Sequence, residues 1–532
     1  MERSLRKNLE KMYPVSLSLL PQQVLGEISA AFGATLNLDE LPGLLEERAG
    51  SSGIPEYLPD LARLELALHK VKLSDAGLPA ELDAPDTNPA LRMIKLSWKG
   101  LISFISREKD ASVLEGEEMV LVWKDGKSGD IRLKAASAED LLVLKIVVEG
   151  IETEEIARAG NVPVSAVEDA IDRAAEEGMI HKPQSGIRRD VQASVDPEGV
   201  FAPFLSATMF TLQWHVTQAC DLHCKHCYDR SDRNQMKFEE ALRILDDFRG
   251  FCKSRHVRGQ ISFSGGNPFL YPRFEELYRA AAERGFTLAV LGNPSPKEKL
   301  TALVDIQKPS FFQVSLEGLE AHNDYIRGKG HFNRVMDFLN TLRDLDIYSM
   351  VMLTLTKENI GQVIPLAERL RGLADTFNFN RLSMVGEGAN LALPSRDEYR
   401  TFLEAYLRAA EDNPVMGIKD NLFNILNYKN GDEYFGGCTG FGCGAAFNFI
   451  SVLPEGEAHA CRKFPSLIGN VLRDGIAGAY DSEAAKRYRA GCASCKSCAI
   501  RPVCGGCLAV SYSHGQNIFE DRDPFCFIGQ AD

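Results

Sequence analysis

The stretch Thr217-Gln-Ala-Cys220-Asp-Leu-His-Cys224-Lys-His-Cys227-Tyr-Asp-Arg230 holds three cysteines within eight residues and no fourth close by. A closed structural metal site normally takes four ligands. The run directly follows Phe210-Thr-Leu-Gln-Trp-His-Val216, a β-rich segment, so its thiols stand in a loop just past a strand end. Further short β-rich runs follow at Gln260–Ser264, Thr287–Leu291, Phe311–Leu316 and Tyr348–Leu355. Helical patterns separate them at Lys237–Phe251, Phe274–Arg284 and Asn333–Leu345. This alternation predicts an α/β fold with a parallel sheet, open or closed into a barrel. Barrels of this kind carry their chemistry at the C-terminal ends of the strands, where Cys220 falls.

Cys220-x3-Cys224-x2-Cys227 can wrap three corners of a cubane iron–sulfur cluster and leave the fourth iron open to a chelator. A zinc ion with a free fourth position would accept the same thiolates. At this position the motif resembles the signature of the radical S-adenosylmethionine (SAM) enzymes. That resemblance implies a partial (β/α)6 barrel and a [4Fe-4S] cluster whose open iron is chelated by SAM. It also implies an electron donor such as flavodoxin or ferredoxin. Ser264-Gly265-Gly266-Asn267-Pro268 resembles the family's Gly-Gly-Glu-Pro turn, which meets the methionyl ammonium. Asn267 replaces the usual Glu, keeping a hydrogen-bond acceptor but losing charge assistance. Val314-Ser315-Leu-Glu-Gly318, followed by Arg327-Gly, is similar to the family's Ser-Leu-Asp-Gly strand end and downstream Arg. The resemblance places Ser315 on the SAM ribose, Arg327 on the methionyl carboxylate, and His226 and Met384 near the adenine.

The later cysteines follow a second pattern. Cys443-x12-Gly456-x4-Cys461 precedes Cys495-x2-Cys498-x5-Cys504-x2-Cys507 and Cys526. This resembles the SPASM extension of radical SAM enzymes, which carries two auxiliary four-iron clusters. Carried over by order, one cluster takes Cys438, Cys443, Cys461 and Cys507, and the other Cys495, Cys498, Cys504 and Cys526. Cys492 offers an alternative register, and two structural zincs would satisfy the same thiolates. Past about residue 430 the pattern dissolves into Gly- and Cys-rich loops, expected to be held by metal rather than by a large apolar core. Sulfatase-maturing members carry an Asp after the third cysteine of the extension, where this chain has Arg462.

The N-terminal part has a different grammar. Residues 1 to about 80 read as helical, with one apolar face along Pro55–His69. Ala90–Trp98 and Glu118–Gly126 read as strands, the second closing in an Asp-Gly turn. Three helices, Glu139–Glu149, Thr153–Ala159 and Ser165–Glu177 with Ser165 as N-cap, resemble a winged helix. Residues 139–182 carry eleven acidic side chains against four basic ones, a balance that phosphates would repel. These segments resemble partner proteins that deliver precursor peptides to peptide-modifying oxygenases. Winged-helix modules in peptide maturases often bind a leader by adding it as a strand to a sheet edge. Gly186–Ser206 reads as a linker, which gives four domains: 1–85 helical, 86–190 winged-helix-like, 207–425 barrel and 426–532 SPASM.

Composition sets the outer limits. The chain has 532 residues, 45% hydrophobic and 25% charged, too long for one compact core. The formal net charge of −14 argues against a nucleic-acid partner. No apolar run approaches the roughly 18 residues of a membrane span, and no signal peptide is evident, so a cytoplasmic location is expected. Thirteen cysteines, an odd number gathered in two places, do not read as a disulfide framework; Cys252 alone reads as an inert buried thiol. The combined expectation is a radical SAM/SPASM maturase of a ribosomally made peptide, most similar to selenobiotic or thio(seleno)oxazole maturases. It would form a carbon–sulfur or carbon–selenium bond, such as a thioether, at a Cys- or Sec-rich core. A sulfatase-maturase-like oxidase, a zinc-binding peptide scaffold and a redox-sensing winged-helix regulator are the alternatives.

Overall fold

The computed structural model describes residues 2–32, 37–50, 53–74, 82–106, 112–189 and 199–529. Part of the Gly186–Ser206 linker and residues 75–80 of the helical stretch therefore lie outside the described residues. The chain divides into two compact units, Met1–Gln184 and Ser185–Asp532.

In the first unit, helices Glu2–Met12, Pro14–Ser18, Gln22–Phe32, Leu41–Glu46 and Leu58–Lys72 precede a sheet. Strands β1 (Asp86–Thr87), β2 (Arg92–Lys99), β3 (Leu114–Lys124) and β4 (Ile131–Ala135) come next. Helices Ala138–Glu149, Thr153–Gly160 and Val164–Glu176 and strand β5 (Ile180–His181) complete the unit. The strands β2-β3-β4 form an antiparallel sheet, and β1 pairs with β5. Successive side chains of a strand point to opposite faces. Val120 and Val122 accordingly join Leu58, Leu61 and Leu64 in one apolar core, while Leu121 and Trp123 join Val143, Val167 and Ile171 in another. Because β3 serves both cores, the helical segment and the winged-helix segment, set apart at residue 85 from sequence, pack here as one unit. Ser165 is not the N-cap of the third helix. That helix starts at Val164 behind an extended Pro163, and the capping box belongs to Ser137 and Asp140 on the first.

The second unit is built on β6 (Met209–Thr217), β7 (Arg258–Gly265), β8 (Thr287–Leu291), β9 (Phe312–Ser315), β10 (Ser349–Leu355) and β11 (Thr376–Arg381). These six strands are parallel and lie side by side in chain order, with helices between them, as in a partial (β/α)6 barrel. Strands buried on both faces read as near-continuous apolar runs, which is why they were legible. The sheet continues on the other side of β6. Strand β12 (Phe449–Val452) pairs with β6 in parallel, and β13 (Glu457–His459) and β14 (Leu467–Asn470) follow antiparallel.

The expectation of a C-terminal part without a large apolar core is corrected here. Ile450, Val452, Ile468, Ile476 and Tyr480 are buried in the same cluster as the barrel's Phe210 and Phe251. Tyr480, on the helix Val471–Asp481, packs edge-on to Phe210 at 5.4 Å between ring centroids. Among the described residues no helix is long and apolar enough to cross a membrane.

Candidate functional site

The three-cysteine loop leaves β6 at Thr217 and is clamped by backbone hydrogen bonds from three neighbouring loops. Gly266 N donates to Thr217 O at 3.0 Å and Asn267 N to Ala219 O at 2.8 Å. Lys225 N donates to Ile326 O at 3.0 Å, and Glu387 N to Cys227 O at 2.8 Å. The approach at Gly265 and Gly266 leaves no room for a side chain. A Cβ would fall 2.1 Å from Thr217 O at Gly265, where φ is +128°, and 2.2 Å from Ala219 O at Gly266. Cys220, Cys224 and Cys227 thus hang on a loop whose path is fixed by the ends of β7, by the helix Glu320–Arg327 and by the turn after β11. Burial pushes the Cys220 and Cys224 thiols up; Asp221 and Cys227 add to Cys220, and Glu317, Cys220 and Cys227 add to Cys224.

Arg327 lies against this loop. Its Nη1 is 3.7 Å from Cys224 Sγ, and its Nη2 is 3.4 Å from His226 Nε2. The residue that aims it is Glu317, which sequence reasoning passed over as part of a motif. Glu317 Oε1 accepts from Arg327 Nη2 at 2.6 Å and Nε at 2.9 Å, and lies 3.3 Å from His226 Nε2. Its Oε2 accepts from Thr354 N at 2.8 Å, on the neighbouring strand β10. The Glu317 side chain is 2% exposed and that of Arg327 10%. Burial pushes the Glu317 carboxyl up, but His226, Arg327 and the Thr354 amide outweigh it and hold it below the usual range. Burial also drives His226 down to about 4 despite the Glu317 carboxylate, so the ring is neutral at pH 7, and its Nδ1 is buried without a partner.

The other sequence candidates surround the same strand ends. Ser315 ends β9 and is half-buried. Met384, also half-buried, lies one residue before the Val385–Glu387 turn that holds Cys227. Asn267 is buried; its Oδ1 accepts from Phe269 N at 3.3 Å and its Nδ2 donates to Asp221 at 3.0 Å. Arg462, from the C-terminal region, is buried against the loop, over the Tyr228 ring at 5.0 Å and ion-paired with Asp229.

The eight C-terminal candidate cysteines lie close to one another, and Cys443 of the first expected group lines one cavity with Cys498 and Cys504 of the second. Burial pushes Cys443 up to about 11, with Cys507 and Cys438 adding to it, and Cys461 up to about 12, with Cys507 and Cys443 adding to it. Cys504 is raised first by burial and also by Cys526 and Cys498; Cys526 is likewise raised by burial and by Cys498. A small cavity is lined by Cys495, Cys498, Cys504 and Cys526 together. Cys492 is hydrogen-bonded to Cys495 and lines a neighbouring cavity of about 490 Å³ with Arg189, Arg489 and Arg501. Among the described residues no three Cys, His, Asp or Glu side chains stand at closed metal-ligand geometry. The barrel joins this region through a buried ion pair. Arg381, at the end of β11, donates to Asp420 at 2.8 Å and to both oxygens of Asp523 at 2.8 and 2.7 Å. Asp523 Oδ2 in turn accepts from Cys507 N at 2.9 Å.

Comparison with known proteins places this geometry. Residues 214–370 match the family model of the radical SAM superfamily. The mycofactocin maturase MftC of Mycolicibacterium smegmatis is 28% identical over 344 residues, 60% of this chain and 82% of that protein. The AdoMet-dependent heme synthase of Methanosarcina barkeri is 23% identical over 342 residues, 59% of this chain and 95% of that one. Among solved structures, Streptococcus suis SuiB bound to its precursor peptide SuiA superposes with a TM-score of 0.51 at 16% identity. That match spans 77% of this chain and 96% of SuiB, a likeness of fold. Residues 214–370, with their three-cysteine loop at the end of the first parallel strand, form a radical SAM domain.

Proposed function

We propose that this enzyme matures a ribosomally made precursor peptide, with residues 1–184 docking the leader and the barrel modifying the core. The observation that carries this reading is a radical SAM site accompanied by an N-terminal unit whose three-stranded sheet and three helices resemble a peptide-docking winged helix. The relatives support it, since MftC is named a maturase and SuiB is solved with a precursor peptide. Strand β4 ends that sheet and offers an edge to which a leader could add as a strand. Tethering there would raise the local concentration of the core peptide at the radical site.

The residues at the barrel mouth fit a [4Fe-4S] cluster and SAM: three clustered thiols, a glycine cradle with no space for side chains, and a buried His226 Nδ1 in need of a partner. Cys220, Cys224 and Cys227 would hold the cluster. Gly265, Gly266, Asn267, Ser315, Arg327, His226 and Met384 would bind SAM. When bound, this pair supplies a 5′-deoxyadenosyl radical able to remove hydrogen from carbon. The protein's part is to position and to exclude water. Glu317 locks Arg327 so that its guanidinium meets an anionic group without a search of rotamers. Neutral His226 adds no second positive charge beside Arg327. Gly265 and Gly266 bring backbone, rather than side chains, up to the ligand.

The two C-terminal cysteine groups are read as auxiliary [4Fe-4S] ligands, the first with Cys438, Cys443, Cys461 and Cys507 and the second with Cys495, Cys498, Cys504 and Cys526. Lys419 and Lys463 near Cys438 and Cys461, and the arginines near Cys443, would offset their negative charge. Arg462 beside Tyr228 offers no carboxylate base, against a sulfatase-maturase-like reaction. Thioether formation at a Cys- or Sec-rich core remains the preferred outcome. The test is to incubate the iron-loaded enzyme with SAM, a reductant and a short Cys-rich peptide encoded beside its gene. Peptide-dependent 5′-deoxyadenosine and a product lacking a pair of hydrogens are expected. SAM turnover with no change in any leader-bearing peptide, but conversion of a porphyrin, would overturn the peptide reading.

A further inference from the structure

The turn that resembles a SAM ammonium site carries an amide, Asn267, where the pattern has a carboxylate. The structure offers a carboxylate immediately beside it. Asn267 Nδ2 donates to Asp221 Oδ1 at 3.0 Å, and Asn293 Nδ2 donates to the same oxygen at 2.7 Å. Asn293 Nδ2 also lies 3.7 Å from Cys220 Sγ, so the carboxylate sits next to the first ligand thiol. Both asparagines are buried, at 4% and 8% exposure, while Asp221 is exposed.

The orientation of the Asn267 amide is fixed by its surroundings. Its Oδ1 accepts from Phe269 N, and a reversed amide would set an oxygen against the Asp221 carboxylate. Two buried amides therefore hold one oxygen of Asp221 and leave Oδ2 for a further donor. An exposed aspartate would otherwise be solvated and free to rotate; here it is pre-positioned at the mouth of the cluster loop. A glutamate at 267 would bring two like charges within hydrogen-bond distance.

We propose that Asp221 carries the carboxylate that receives the methionyl ammonium of SAM, the negative charge having moved across one hydrogen bond from position 267. The proposal rests on the radical SAM domain binding SAM at the Cys220–Cys227 loop. The test is equilibrium binding to the reconstituted holoenzyme of SAM and of a SAM analogue lacking the α-amino group. Iron content and the EPR signal of the reduced cluster establish equal loading.

D221N is expected to weaken SAM about ten- to a hundredfold, the worth of a charge-assisted hydrogen bond, and to leave the amine-free analogue unaffected. D221N/N267E, which returns the charge to the turn, is expected to recover most of the loss. Wild-type SAM affinity in D221N, an equal loss for both ligands, or no recovery in the double variant would each overturn the proposal. If D221N loads no cluster, D221N/N267E alone decides: near-wild-type SAM affinity supports the proposal and a persistent loss refutes it. A loaded wild-type enzyme that binds no SAM would instead refute the SAM reading itself.

Discussion

Glu317→Gln tests whether Arg327 is held in place by a buried charge or merely accommodated. The substitution keeps the shape and removes the negative charge that Arg327 meets at 2.6 and 2.9 Å. With the two side chains 2% and 10% exposed, water cannot replace that partner without opening the structure. Breaking a buried pair from one side costs about 3–5 kcal/mol, because the remaining charge is left unpaired. The expected readout is local. Amides of residues 312–331, which span β9 and the helix bearing Arg327, should exchange with deuterium about a hundred- to several-thousandfold faster at 1.4 kcal/mol per decade. Glu317→Gln/Arg327→Met removes both charges and should recover more than half of this protection. Exchange in Glu317→Gln within threefold of wild type, or a double variant as labile as the single, would refute the argument.

Gly266→Ala should drive a Cβ into Ala219 O, displace the three-cysteine loop and lower bound iron by about four atoms per chain; metal analysis after reconstitution checks it. His226, with its pKa near 4 against an ordinary 6.5, binds a proton more readily unfolded than folded. Its contribution is therefore complete above pH 6.5 and is lost as the pH falls toward 4, at most about 3 kcal/mol, and His226→Asn should flatten that window in acid unfolding curves. With metal removed, burial keeps the Cys443 and Cys461 thiols protonated at pH 8, so alkylation there should lag well behind that of an exposed cysteine, as read by peptide mass.

The parts of the fold visible in the sequence are those whose pattern repeats. Strands β6 to β10 are apolar runs separated by amphipathic helices, and none of their bounds moved by more than two residues. Strands β12 to β14 were missed because they have four, three and four residues and lie among Gly and Cys. Their apolar positions, such as Ile450, Val452 and Ile468, are too few to show a period. Within the site, the cysteines and glycines were legible because their spacing is itself the signal. Glu317 was not, since its role depends on an arginine ten positions later and on an amide of another strand. The one sequence clue was an acid set at the end of an otherwise apolar strand. The N-cap expected at Ser165 is absent, and the capping box forms instead at Ser137 and Asp140 on the first of the three helices.

Strand β6 carries the three-cysteine loop, yet one of its two hydrogen-bonding flanks is supplied by β12, and Ser451 Oγ reaches Gln213 Oε1 across 238 positions of chain. At translation rates of about 5–20 residues per second, roughly 10 to 50 seconds separate the synthesis of the two strands. During that interval the barrel's first strand exposes an unpaired edge, and the loop beyond it rests on a half-built support. Synthesis thus imposes an order of assembly: the three-cysteine loop acquires its finished scaffold only once residues 449–452 have been made. A ribosome stalled before residue 449 would present a cysteine loop on an open, aggregation-prone edge.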